Sequence, residues 1–433
     1  MTVDPRRLDH PMRRVLSDEV HARPPVDIPT PGSLSYIARV MRRDGEAGTE
    51  LDRIAELMEH FGQAPPDKET KQLTAILDGQ RLRWERHTEF ARYAFIRDAE
   101  EVPPFSIPPT TGIPEDWLAQ LHDEVMSATH VNVAPMPEGK LRFDEISDRY
   151  FSGNPLVGAR IAGNRAIAVT DFRVPDDGFM RLLILNERMS EAQTGRSVQR
   201  LLEIDTYRMM ALLALPVAHA LQPGLDSSEE KLVEIYESLL ETGEADETEL
   251  LNDLTFLATE NQRRHASNDY RFGAANAYYD IVLQRIAELR EERIPGLPTF
   301  DEFTTRRLTP AVNTCRAVFD RQQSIVLRMA RATQLLSTRI DVERQRQNQQ
   351  LLESMDRRAR SQLRLQATVE GLSVAAVTYY VVGLVAILAK ALDAKGLPVD
   401  PAIVTAASIP IIAGIAFYGV RRIRRRISEE SAS

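Results

Sequence analysis

The sequence predicts an α+β cytosolic domain, then an all-α helical domain with a long stalk helix, and finally a two-helix C-terminal transmembrane hairpin. Three observations predict this fold class. In about the first 190 residues, short segments alternate between apolar and polar residues. Apolar residues at helical spacing continue from there to about residue 370, and two uncharged apolar runs follow. A period of two is typical of strands, whereas steps of three and four residues are typical of helices. The expected domains are residues 1–188, 189–300, 301–370 and 371–420, with a basic cytosolic tail at 421–433.

The first domain is expected to hold a mostly antiparallel sheet. Gly163-Asn164, between two apolar segments, is a tight hairpin signal. Helices are expected at 46–61 and 115–125, which leaves few helical crossovers between strands, so neighbouring strands should run antiparallel. The predicted strands are residues 33–41, 72–77, 81–96, 156–162, 166–174 and 179–185.

From Ser190 onward the chain is predicted to be helical. Ser190 followed by Gln193 is a capping box, which begins the first helix. Pro216 is expected to kink or break that helix. Further helices are expected at 229–241, 246–262, 269–292 and from about 301.

The last helix is predicted to run without a break into the apolar end of the chain. Its apolar residues share one face until a polar run at 342–350, after which the stripe resumes. A lone helix of this polarity is unstable in water. We therefore expect the stalk to pack on the helical domain or, as a coiled coil, on further copies of itself, which makes a homo-oligomer the expected assembly.

Two apolar runs, residues 371–389 and 402–420, predict the transmembrane hairpin. Neither run contains a charged residue, and each has about the 20 apolar residues that cross a bilayer. No side chain in them could serve as a charged ion site, so the hairpin is interpreted as an anchor rather than the lining of a pore. The polar residues of the two spans are Ser373, Thr378, Tyr380, Thr405 and Ser408.

Arginine clusters flank the hairpin on both sides. Because positive flanks stay on the cytoplasmic side, both termini are expected in the cytoplasm and the protein in the cytoplasmic (inner) membrane. Clustered arginines also bind anionic headgroups, so membrane lipids are expected partners. The arginines are Arg357, Arg358, Arg421, Arg422, Arg424, Arg425 and Arg426.

Composition limits the other partners. The net charge is −9 although the C-terminal end is arginine-rich, so the remainder is acidic and nucleic acid is not expected as a partner. The single cysteine, Cys315, excludes intrachain disulfides and fits a reducing compartment. The first residues have no apolar core, so no signal peptide is expected there.

The segment WERHTEF at 84–90 is the candidate chemical site. On a single strand, alternation would place Glu85, His87 and Glu89 on one face, a set that could bind a divalent metal. The alternative is a solvated face whose acids pair with arginines. His21, before two prolines, is a second candidate. The motifs GxxxxGK[ST], GxGxxG, HExxH and GxSxG are absent, which favours a protein that is not an enzyme.

Other charged and aromatic residues are expected to have structural roles. Glu203 and Asp205, with Arg200 and Arg208, are expected to form ion pairs within one helix. The pair at 278–279, two tyrosines in a helical context, is expected in the core.

Four segments, SDEVHARPP (17–25), LRWERHTEF (82–90), LLEIDTYRMMALLALP (201–216) and 355–385, are similar to a known bacterial family. The sequence resembles domain of unknown function 3422, whose members are described as membrane-anchored; the resemblance implies no catalytic residue and no substrate. The layout also resembles CorA-type magnesium channels, but the Gly-Met-Asn signature of those channels is absent after the first span.

Three hypotheses follow from the sequence. The first is a membrane-anchored oligomer whose cytosolic domain senses or binds a partner. The second is a CorA-like divalent-cation channel or transporter, and the third is a metal-dependent enzyme that uses Glu85, His87 and Glu89.

Overall fold

A computed structural model describes residues 25–41, 46–98, 102–241, 247–394 and 400–430, with some residues between 10 and 17. The chain divides into two compact units, residues 1–333 and 334–433. The finer domain boundaries expected from the sequence stay predictions.

The first unit is built on a nine-stranded mixed sheet with the strand order β2-β3-β4-β1-β5-β8-β7-β6-β9. All neighbours run antiparallel except β5 and β8, which are parallel. The strands are β1 Gly32–Val40, β2 Gln72–Leu77, β3 Gln80–Arg86, β4 Phe90–Asp98, β5 Val125–Pro135, β6 Val157–Ile161, β7 Ala166–Thr170, β8 Met180–Asn186 and β9 Glu292–Arg293.

Helices make up most of the chain after the sheet, which confirms the predicted fold class of an α+β region followed by a helical one. The helices are α1 Glu46–His60, α2 Glu115–Ala119, α3 Phe143–Tyr150, α4 Glu191–Leu212, α5 Ala214–Glu241, α6 Glu247–Leu289, α7 Phe300–Asp393 and α8 Pro401–Glu430.

The sheet is covered on both faces. On one face, Leu34 and Tyr36 belong to the same core cluster as Leu201 and Leu202 of α4. On the other, Trp84 and its strand neighbours pack with buried residues of α1 and α2. Burial of these apolar side chains, at roughly 25 cal/mol per Å², holds the layers together.

The predicted strand at 81–96 is wrong, because the chain reverses direction within it. Strand β3 ends at Arg86 and β4 begins at Phe90, and the His87 amide donates to the Phe90 carbonyl at 2.8 Å across the turn. The two turn residues, Thr88 and Glu89, are not the glycine, asparagine or aspartate that mark two-residue hairpins. The local sequence therefore indicates one continuous strand and gives no signal for the turn.

Strand β5 was not predicted, and it provides the only parallel pair among the described strands. The helix expected at 115–125 ends at Ala119 and is followed by a short 3₁₀ turn at His122–Glu124. The chain then enters β5 at Val125, between β1 and β8 near the centre of the sheet.

The helical region begins as predicted. Ser190 and Gln193 form the capping box, with the Gln193 amide 3.4 Å from Ser190 Oγ and the Ser190 amide 3.2 Å from Gln193 Oε1. The break comes at Leu213, and Pro216 lies in the first turn of α5, where proline is tolerated. The helices predicted at 246–262 and 269–292 are one continuous helix, α6.

The second unit contains the C-terminal part of α7 and helix α8. Each holds a stretch long and apolar enough to cross a membrane, with mean hydropathy of 2.2 and 2.0. Only 6% of the first stretch and 0% of the second are buried. The core helix of a soluble protein passes the same composition test but is mostly buried, which these two are not.

Candidate functional site

Glu85, at the end of β3, lies at the centre of a buried group of charges. Its side chain is 1% exposed. Its carboxylate accepts hydrogen bonds from Arg83 Nε and Arg92 Nε, each at 2.6 Å. The Nε2 atom of His87 lies 3.7 Å from the same carboxylate. The structure thus brings Glu85 and His87 together.

Glu89 points elsewhere, because it lies in the turn that the sequence did not indicate. Its two carboxylate oxygens accept from Arg271 Nη2 and the Tyr278 hydroxyl of α6, each at 2.6 Å. In the part of the chain that the structure describes, no group of three His, Cys, Asp or Glu side chains is arranged to hold a metal ion. The three candidate ligands therefore do not converge, and their acids pair with arginines. His21 lies outside the described residues.

The charges continue from Glu85 across α4 to α6. Arg92 Nη1 lies 3.4 Å from a Glu203 oxygen, and Arg285 hydrogen-bonds the other oxygen of that carboxylate. Glu288 then accepts from Arg285 at 3.0 Å and from Arg200 Nε at 3.0 Å. The resulting ion-pair network comprises, in order, Arg83, Glu85, Arg92, Glu203, Arg285, Glu288 and Arg200.

The expected pairing within α4 is only partly right. Asp205 and Arg208 do form an ion pair three residues apart, and Asp205 also accepts from Ser127 Oγ at 2.5 Å. Glu203 and Arg200 instead pair with residues of other elements, since they face β4 and α6.

Electrostatics keep Glu85 and Arg92 ionised. Burial alone would raise the pKa of Glu85, but the nearby His87 imidazole and the charges of Arg92 and Arg83 hold the pKa far below its usual range. Burial likewise opposes the charge of Arg92, yet Glu85 and other groups raise its pKa. Because neither group exchanges a proton near neutral pH, this pair is not suited to acid–base catalysis.

Two cavities border the network, and another, lined in part by His87, lies beside it. One of about 60 Å³ lies between the sheet and α4, lined in part by Tyr36, Glu85, Arg92 and Gln199, and has room for a few water molecules. A cleft of about 490 Å³ opens at the β3–β4 turn, where Lys71 and Arg86 face Tyr207 and Tyr278.

The third cavity is the largest of the three. It is a cleft of about 700 Å³ where the β6–β7 turn, α4 and α6 meet, and Arg200 and Glu288 of the network line it. The sizes of the two larger clefts are in the range of small-molecule sites.

A family model described as "Protein of unknown function (DUF3422)" matches residues 8–427. The protein belongs to this family. The matched range includes all four segments on which the resemblance was based, so that prediction is confirmed. No curated protein matches the sequence, and the family match gives no support to a relation with CorA-type channels.

Sequence reasoning missed the α6 residues of this DUF3422 protein that pair with the network and with Glu89. Arg271, Arg285 and Glu288 were assigned no role, and Tyr278 was expected in the core. The structure places the Tyr278 ring against Tyr207, with 5.5 Å between ring centroids, and its hydroxyl on Glu89. The one available signal was an excess of carboxylates and arginines on strand and helix segments whose neighbours are apolar.

The polar residues of the apolar stretches in this DUF3422 protein are hydrogen-bonded within their own helices. Ser373 Oγ donates to the Val369 carbonyl at 2.9 Å, and Thr378 Oγ1 to Val374 at 2.7 Å. Thr405 and Ser408 bond to carbonyls of α8 in the same way, and Tyr380 is exposed. Arg357, Arg358, Arg421 and Arg422 are exposed, whereas the side chains at 424–426 lie outside the described residues.

Proposed function

We propose that this is a membrane-anchored binding protein: the two apolar stretches anchor it in the cytoplasmic membrane, and the residues before the stalk bind a ligand. The single observation that carries the proposal is the pair of long, apolar and unburied stretches in α7 and α8. Soluble proteins rarely expose contiguous apolar patches larger than a few hundred Å².

The hydrogen-bonding of the two stretches supports the anchor. A bilayer core offers no partner to a polar group, so each hydroxyl must be satisfied within the protein. Ser373, Thr378, Thr405 and Ser408 all donate to carbonyls of their own helix. Such helices can sit in lipid without a polar neighbour, which fits an anchor better than a pore.

The flanking arginines support an orientation. Arg357 and Arg358 precede the first stretch and Arg421 and Arg422 follow the second, whereas the connection between them contains only two basic residues, Lys390 and Lys395. The positive-inside rule then favours both termini in the cytoplasm, with the arginines near lipid headgroups.

The test is extraction of membranes with alkaline carbonate, which removes peripheral proteins and leaves integral ones. The full chain should stay in the membrane pellet. Replacing Leu384 and Ile411 together by lysine should move most of it to the supernatant, because a central lysine costs roughly 3 kcal/mol per span. Leu351 and Leu363, which are similarly exposed but lie before the spans, supply the matched lysine control and should leave the protein in the pellet. Release of the unaltered chain by carbonate would refute the proposal.

Self-association through the stalk is part of this proposal, with a second copy of the chain as the partner. The support is a set of exposed apolar side chains on an otherwise polar helix. They are Leu335, Val342, Leu351, Leu352, Met355 and Leu363. Light scattering corrected for bound detergent should give a multiple of the 48.8 kDa chain mass. A monomer at all concentrations would remove self-association but leave the anchor standing.

A further inference from the structure

The cleft of about 700 Å³ is formed by three separate parts of the first unit. The turn between β6 and β7 contributes Arg165, the first turns of α4 contribute Arg196 and Arg200, and the end of α6 contributes Arg290. A single carboxylate, Glu288, lines the same space. We call this set the arginine cleft.

The charges of the arginine cleft are not balanced within the protein. Glu288 already accepts hydrogen bonds from Arg200 and Arg285. Among the described residues, no hydrogen bond or ion pair joins the guanidinium groups of Arg165, Arg196 or Arg290 to a carboxylate, and all three side chains are exposed. Among the residues that the structure describes, three arginines that line one cleft thus have no ion-pair partner.

Local structure explains only one of these arginines. Arg290 follows the last turn of α6, where a cation is favoured by the negative end of the helix dipole. Arg196 lies in the second turn of α4 and Arg165 in a sheet turn, so no helix C-terminus accounts for either. In a chain of net charge −9, such a gathering of cations raises the local potential and attracts anions.

We propose that the arginine cleft binds the di- or triphosphate group of a small soluble ligand. Guanidinium groups bind phosphate oxygens through paired N–H donors, and a polyphosphate supplies about as many negative charges as the cleft has unpaired arginines. The volume of about 700 Å³ fits a small molecule and not a macromolecule. This inference rests on the proposed function, which assigns a ligand to the residues before the stalk, and it adds the chemical class of that ligand.

The experiment uses the detergent-solubilised full chain and inorganic triphosphate, titrated by calorimetry at low salt. Saturable binding is expected, and it should weaken as salt is added because the contacts are ionic. Replacing Arg196 and Arg290 together by alanine should weaken it by about a hundredfold, roughly tenfold per charged contact. Both side chains are exposed, so thermal unfolding of this variant should match the parent.

A matched control removes the same charge from elsewhere. Arg306 and Arg307 are exposed residues of α7 that do not line the cleft, and their double alanine variant should bind like the parent. Equal weakening in both variants would show that only net charge matters and would overturn the inference. So would the absence of saturable binding, or binding that Arg196→Ala with Arg290→Ala leaves unchanged. None of these outcomes alters the carbonate extraction result, so the anchor is tested separately.

Discussion

The buried carboxylate of Glu85 contacts two guanidinium groups and an imidazole. Replacing it with glutamine keeps the shape but leaves Arg92 without its main counter-charge. Breaking a buried ion pair from one side costs about 3–5 kcal/mol, so Glu85→Gln should lower the free energy of unfolding by that order. Denaturant melts in detergent check this. Glu145, whose partner Arg142 is exposed, is the control, and its glutamine variant should change stability by less than about 0.5 kcal/mol.

His130 on β5 gives a prediction about pH. Burial lowers its pKa from 6.5 to about 4, with Asp177 opposing the shift and Arg181 adding to it. Above pH 6.5 the histidine is neutral in both the folded and the unfolded state, and its contribution to stability is fully present. As the pH falls towards 4, the unfolded chain binds the proton first, so stability is lost progressively across this interval.

The loss should reach about 3 kcal/mol, and His130→Gln should remove it. Because the carboxylates that titrate in the same range are present in both proteins, their contribution to stability cancels when the two proteins are compared at each pH. Parallel stability curves for parent and variant between pH 7 and 4 would contradict the assignment.

At the scale of elements, α4 approaches the chain before β1 so closely that only glycine fits. A Cβ at Gly195 would lie 1.8 Å from the Val26 carbonyl oxygen. Gly195→Ala should therefore destabilise the protein by at least about 2 kcal/mol, because the helix must move away.

Gly273 of α6 has nothing within 4 Å of its ideal Cβ. There the same substitution should stabilise by about 0.5–1 kcal/mol, since alanine favours helix. Thermal melts of the two variants should shift in opposite directions, and shifts of the same sign would rule out this packing.

Elements with a strong local signal could be predicted from the sequence. The capping box at Ser190, the Gly163-Asn164 turn and the uninterrupted α7 all depend on neighbouring residues. Strand β5 could not, because its polar residues are satisfied only in the folded sheet. Ser127 donates to Asp205 of α4, and His130 Nδ1 meets Ser35 Oγ at 2.9 Å. Tertiary partners here override the local pattern.

The ion-pair network was beyond sequence reasoning for a related reason. Glu203 and Arg285 are 82 residues apart, and Arg92 and Glu203 are 111 residues apart. Nothing in one sequence says which carboxylate meets which arginine. The metal interpretation of WERHTEF assumed one uninterrupted strand, whereas an unmarked turn at Thr88-Glu89 sends Glu89 towards α6.

For the molecule as a whole, the proposed membrane anchor depends on the hairpin and its direction. Residues 334–433 supply two unburied apolar stretches, and arginines flank them on the outer sides. A hairpin requires the connection near Asp400 to lie across the membrane from Ser361, which precedes the first stretch. Both residues are exposed and can be replaced by cysteine, while the native Cys315 is buried.

Labelling with a membrane-impermeant maleimide tests this arrangement most directly. In spheroplasts, Asp400→Cys should react before any detergent is added, whereas Ser361→Cys should react only after lysis. The unaltered chain, with buried Cys315, should remain unlabelled in intact spheroplasts. Reaction of Ser361→Cys alone would reverse the predicted orientation. If neither variant reacts until the cells are opened, the connection does not cross the membrane and the anchored hairpin is contradicted.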